Sequence, residues 1–199
     1  MLRSIALALL TLVLSASAGS AQEGSYQGVY FTTPDGWTSG MQDGRFVFAP
    51  TDMTEETAVV VVLYGAEKLA GKPLNDWFRA KMASDLNPQL KVLTDSAIQS
   101  NNSGGMQTLS TGRTVQDAGG GVRLQIYHGI SDGKQAALAM VVTASETALN
   151  KYTGGIQALL ASLHFSAAGK PGVSPSPGPA AQPSASPAAG KGEPLPKSE

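Results

Sequence analysis

The chain has 199 residues, a formal net charge of −1 and no cysteine. That length suits one domain with extensions, and near balance of acids and bases argues against a broad basic surface for nucleic acid or anionic lipid, leaving only a local basic patch open. Without cysteine there is no disulfide, thiol nucleophile, thiolate metal site or lipid-modified N-terminal cysteine.

The N-terminus reads as an export signal. Arg3 supplies a positive start, residues 5–14 are apolar apart from Thr11, and Ala16-Ser17-Ala18 and Gly19-Ser20-Ala21 both fit the small-x-small cleavage rule. A signal peptide over 1–21, cut after Ala21 in preference to Ala18, predicts a secreted or periplasmic mature chain. A membrane anchor is disfavoured because the apolar run is shorter than the roughly 20 residues a span needs. No later stretch is long enough either; residues 58–63 are apolar but short.

Residues 22–27 read as a lead-in and 29–33 as a strand rich in β-branched and aromatic side chains. Pro34-Asp35-Gly36 is a turn, since proline fixes φ and glycine accepts a positive one. Trp37 follows at once and is expected to pack one edge of the core rather than stack on a ligand. Residues 45–49 make a second strand, and 50–56 a polar connector. Residues 57–64, with four consecutive valines, predict a central strand buried on both faces.

From Pro73, Leu74, Trp77, Phe78, Met82 and Leu86 recur at three- and four-residue steps, which predicts a helix with a core-facing stripe that ends at Asn87-Pro88. Residues 90–100 read as a strand and 101–105 as a turn cluster. Strands are expected over 107–115 and 122–130, the second with Leu124 and Ile126 inward. Ser131-Asp132-Gly133-Lys134 is a hairpin turn to a partner strand over 135–143. A closing helix over about 146–161 can be capped by Thr143 with Glu146 or by Ser145, and buries Leu149, Tyr152, Ile156, Leu159, Leu160 and Leu163. Gly154-Gly155 in its middle costs roughly 1 kcal/mol each relative to alanine, and close contact with the sheet is the expected reason for the pair. Residues 162–166 are extended. Residues 167–199 are dominated by Pro, Ala, Gly and Ser, and are expected to be a disordered tail. A linker or solubilising role is preferred there over a docking ligand at 175–179.

No chemical motif emerges. Gly65 to Gly71-Lys72-Pro73 has one residue too many for a phosphate loop and proline where magnesium needs Ser or Thr. The glycines 119–121 lie between strands and do not open a helix. His128 and His164 lack a second ligand at metal spacing. Asp43, Asp52, Glu55, Glu56 and Asp132 fall in loops, where charge is normally solvated. There is no serine elbow or Ser-x-x-Lys motif. Asn101-Asn102-Ser103 is a glycosylation sequon that matters only in a eukaryotic secretory route. No residue is assigned as catalytic, cofactor-binding or metal-ligating, and no cofactor is expected.

Tyr30 with Pro34-Asp35-Gly36-Trp37 near the start, and Tyr152, Leu159-Leu160 and Ser162-Leu163-His164-Phe165 at the end, resemble the Mog1/PsbP-like superfamily over about residues 24–166. The resemblance implies an α+β fold: an α/β/α sandwich with a central, mainly antiparallel sheet flanked by helices, spanning 22–166. It also implies binding or assembly in preference to catalysis, and a bacterial exported member of unknown role. The expected function is an exported non-catalytic module whose partner is protein. The rivals are a small-molecule carrier with a pocket between Trp37 and the hairpin over 122–143, and a hydrolase with a spatially assembled site.

Overall fold

The computed structural model describes residues 21–42, 44–85, 89–103 and 105–165. The expected signal segment before Ala21, Asp43, Leu86, the Asn87-Pro88 stop, Gly104, Ser166 and the tail from 167 lie outside them. Among the described residues the elements are β1 (Gln22–Tyr26), β2 (Val29–Thr33), β3 (Trp37–Gln42), β4 (Arg45–Pro50), β5 (Val59–Leu63), β6 (Glu67–Lys68), α1 (Leu74–Asp85), β7 (Lys91–Asp95), β8 (Gln99–Ser103), β9 (Met106–Gln116), β10 (Val122–Ser131), β11 (Gln135–Thr143), α2 (Glu146–Ser162) and β12 (His164–Phe165).

These strands form a nine-stranded sheet along β3-β4-β5-β11-β10-β9-β7, with β6 on β11 and β8 on β9. Its pairings are antiparallel. The valine run sits where its composition requires. Val59, Val61 and Leu63 bury on one face, while Val62 buries on the other with Val60 packed beside it. β11 next to it divides in the same way, with Ala137, Ala139 and Val141 on the first side and Ala136, Leu138 and Met140 on the second.

Each side carries one helix. Leu74, Trp77, Phe78 and Met82 of α1 pack on Val62, Leu138, Met140 and Tyr127. Tyr152, Ile156 and Leu159 of α2 pack on the opposite side, against Val61, Ala139 and Val141. Of the two cap candidates, Ser145 takes the position: its Oγ accepts from the Ala148 N–H at 3.1 Å. Thr143 instead donates to the Ser145 carbonyl at 3.1 Å.

A second, three-stranded sheet, β1-β2-β12, departs from the single sheet implied by the sequence. The lead-in at 22–27 is largely a strand, because a tight turn at Gln27-Gly28, with φ of +44° and +85°, folds it back on β2. β12 pairs on the other edge of β2, His164 opposite Tyr30 and Phe165 opposite Val29. The two ends of the resemblance therefore meet in one ladder.

Three other expectations shift. Trp37 opens a strand, β3, which pairs in register with β4. The run 90–100 splits into β7 and β8, both paired to β9, with a bulge between Val92 and Thr94. The turn cluster at 101–105 shrinks, since Asn101, Asn102 and Ser103 pair with Thr108, Gln107 and Met106. Backbone pairing to a neighbouring strand overrides the poor strand propensity of these polar residues. On β10 the more buried face is Gln125 and Tyr127, because α1 covers it, while Leu124 and Ile126 are only half-buried.

Candidate functional site

The densest grouping of polar chemistry lies on the α1 side of the large sheet, at the C-terminal end of that helix. Asp85 ends α1, Tyr64 follows β5 and Arg45 opens β4. The Tyr64 hydroxyl donates to Asp85 Oδ1 in a short hydrogen bond, and Arg45 Nη2 lies 3.6 Å from the same oxygen. The Asp85 side chain is only 6% exposed, whereas that of Arg45 is 53% exposed. A carboxylate at a helix C-terminus meets the negative end of the helix dipole, so phenol and guanidinium together hold it there.

Beside it, the Tyr127 hydroxyl donates to Gln125 Oε1 at 3.0 Å inside the core. The Arg113 guanidinium sits 5.6 Å from the Tyr127 ring centre and donates through Nη2 to Asp95 Oδ2 at 2.8 Å. Arg113 Nε is buried without an acceptor among the described residues; the cation–π contact offsets part of that loss. Burial first, then Asp85, pushes the Tyr64 phenol far above its ordinary range. Burial pushes Tyr127 up to about 12. Both phenols therefore stay protonated at neutral pH and act as hydrogen-bond donors, not as bases. Two arginines face two aspartates, so the cluster has no charge excess with which to draw an ion. Its chemistry is that of a clamp: Asp85 ties α1 to Arg45 of β4 and to Tyr64 just after β5, while Arg113 of β9 ties β7 to Tyr127 of β10.

Sequence reasoning had no handle on this grouping. Its members are scattered from Arg45 to Tyr127, and only the fold brings them together. The residues that the sequence did single out sit apart. Trp37 packs edge-on to Tyr152, with ring centres 6.2 Å apart, and its indole fills the space left by Gly155. That contact accounts for the second glycine of the pair. Asp52 is more than a solvated loop charge: its Oδ2 is 3.0 Å from Lys151 Nζ, and its Oδ1 accepts from the Tyr152 hydroxyl at 3.0 Å. Those two bonds hold its carboxyl below the usual range. Asp132 accepts from the Lys134 and Gln135 N–H groups at 2.9 Å each, which locks the hairpin turn.

The two histidines lie in different sheets. His164 is exposed, stacks on Tyr30 with ring centres 5.5 Å apart, and has Nδ1 2.8 Å from the Ser162 carbonyl. His128 is half-buried between Ser110 and Ala139 of the flanking strands, and burial lowers its pKa below the ordinary 6.5. Protonation therefore favours the unfolded chain, so this contribution is intact above about pH 6.5 and is lost as pH falls through the lowered folded value. Urea unfolding of wild type and His128→Gln at pH 7.5 and 5 is expected to show the larger acid-induced loss in wild type. Equal losses would contradict it.

An open groove of about 450 Å³ lies between two hairpin tips, lined by Asn102, Ser103, Gly105, Gln107, Asp132 and Gly133. Trp37 is not among its walls. Beside Trp37, from which the carrier reading draws its pocket towards the hairpin, lie Tyr152 and Gly155. Among the described residues no three His, Asp or Glu side chains group as a metal site, and no helix is long and apolar enough to cross a membrane.

No family model matches the chain, and neither does any curated protein. Solved structures do match. The solution structure of cyanobacterial PsbP from Synechocystis sp. PCC 6803 is 16% identical, with a TM-score of 0.49, covering 78% of this chain and 99% of its own. The Saccharomyces cerevisiae Ran-binding protein Mog1p is 8% identical, with a TM-score of 0.41, covering 73% and 96%. A Pseudomonas aeruginosa protein of unknown function is 14% identical, with a TM-score of 0.43, covering 70% and 92%. At these identities and scores the likeness carries no argument about this chain.

Proposed function

We propose that this chain is an exported, non-catalytic binding or assembly module. Its residues 22–166 would form a Mog1/PsbP-like α/β/α sandwich, preceded by a cleaved signal over 1–21 and followed by a flexible tail. Two core clusters on opposite sides of one antiparallel sheet, each with its own helix, support the sandwich. The dominant polar cluster supports the non-catalytic part, because its phenols are fixed as donors and its charges are matched internally.

The observation that carries the binding role is the outer half of the α2-side face. Helix α2 packs on β2, β5 and β11. On β10 the same-face row Ile130, His128, Ile126, Leu124, Val122, apolar except for His128, emerges from that cover: Ile130 is 2% exposed, His128, Ile126 and Leu124 are half-buried, and Val122 is 48% exposed. An apolar row rising out of a core is the kind of surface a protein partner covers. A photo-crosslinking residue at Val122 is expected to capture one discrete protein from the producing cell's envelope or medium, whereas the same residue at Asn75, on the exposed side of α1, is not. Equal capture from both positions, or none from Val122, would count against the binding role.

A further inference from the structure

Helix α2 lies over β5 and β11, and past β10 the same side of the sheet continues over β9 as Thr108, Ser110, Gly112, Thr114 and Gln116, all half-buried. Among the described strand residues on this half of the face, from β10 outward, His128 and Lys91 at one corner are the only ionisable side chains. Depletion of charge marks the centre of a protein interface. Gly112 has no cause inside the chain. It stands midway along β9, where glycine weakens a strand, yet its φ is not left-handed and a Cβ there would meet only Ser96 Oγ, at an ordinary 3.8 Å. Glycine inside a strand often marks where another backbone comes close.

We propose that this half-face packs on the same half-face of a second copy of the chain, about a two-fold axis that runs along β9 above Gly112. This pairing rests on the binding role above and names its partner. On such an axis each β9 residue meets its own copy, so the row has room for neither charge nor bulk. Ser110 and Thr114 suit it, because a hydroxyl both donates and accepts, and the facing glycines let the two backbones approach. Two twisted sheets packed face to face lie about 10 Å apart at about −30°. At that spacing α2 of each copy, itself about 10 Å across, lies beside the outer margin of the other sheet. The β10 row of each copy then goes under the other's outer strands. The uncovered strip is about 30 Å long and 15 Å wide. Two such strips, with the flanks of α2, bury on the order of 1,200 Å², the lower end of the range for specific interfaces. A lone helix, about 10 Å across, covers two of the three strands and leaves the third bare. The area therefore favours a second sheet. It gives a micromolar dimer that depends little on salt, since no ion pair holds it.

Sedimentation equilibrium of the purified full chain at rising concentration is expected to show monomer and dimer in exchange, equally in low and high salt. Gly112→Val sets two branched side chains against each other on the axis and is expected to weaken the dimer at least about tenfold. Its urea midpoint should hold or rise, because valine suits a strand and has room there within one chain. Thr114→Lys places two ammonium groups together and is expected to weaken the dimer as much, now with a dependence on salt. Asn75→Lys, on the exposed side of α1, is expected to leave it unchanged. A wild-type monomer at every concentration overturns the proposal, and so do Gly112→Val and Thr114→Lys dimers as strong as that of wild type. The fate of the binding role is read separately. A monomer whose photo-crosslinking residue at Val122 still captures one other protein loses only the self-pairing, whereas no capture at Val122 ends both.

Discussion

Replacing Phe78 by alanine is expected to lower the unfolding free energy by about 3–5 kcal/mol, the range for truncating a fully buried aromatic. Phe78 has no exposed surface. Its ring lies so close over β10 that a Cβ on Gly129 would sit 2.7 Å from Cδ2 and 3.0 Å from Cε2. Gly129 is thus the floor of the Phe78 site, and the two positions are coupled. Gly129→Ala alone is expected to destabilise by about 1–3 kcal/mol through overpacking. In the Phe78→Ala background the same change meets no ring and fills part of the cavity, so it should be neutral or stabilising. A urea-unfolding double-mutant cycle reads the coupling directly. Additive effects within about 0.5 kcal/mol would show that the ring does not rest on that glycine.

The second pair sits on α2, where two adjacent glycines are expected to respond with opposite signs. Gly154 is exposed and a Cβ there meets nothing within 4 Å. Gly154→Ala should stabilise by up to about 1 kcal/mol through helix propensity alone. A Cβ on Gly155 would lie 2.5 Å from Trp37 Nε1 and 2.8 Å from Cε2. The indole also packs edge-on to Tyr152, about one turn earlier on the same helix, so it cannot yield without disturbing that contact. Gly155→Val should destabilise by about 1–3 kcal/mol and, in a Trp77→Phe background, red-shift the remaining Trp37 fluorescence. A stabilised Gly155→Val with unchanged emission would contradict the close contact.

These two glycines show how far the sequence could be read. The pair at 154–155 was visibly anomalous inside a helix, and a close contact was the natural explanation. What made contact was not visible, because Trp37 lies far away in the chain. Local patterning went well wherever burial alone sets the pattern: the valine strand, the stripe Leu74-Trp77-Phe78-Met82, and the Asp132-Gly133 hairpin. It went less well where a neighbour's backbone decides. Gln22 to Tyr26 and Gln99 to Ser103 have little strand propensity of their own, and they become strands because β2 and β9 offer ladders. The Asp85 cluster was illegible for a different reason. Each member is ordinary in its own segment, and its perturbed electrostatics exist only once α1 has docked.

The ladder joining β12 to β2 has a consequence for how this protein is made. Ser162 and Thr32 exchange hydrogen bonds through Ser162 Oγ although they are 130 residues apart. The Val29 and Phe31 side chains, fully or nearly buried, are in place only when α2 and β12 arrive. A growing chain therefore carries its first strands without their final cover until almost the whole domain has emerged. Closure by the last residues gives a high contact order and slow folding. A polypeptide that delays collapse in this way stays threadable for longer, a property that the export proposed above would use.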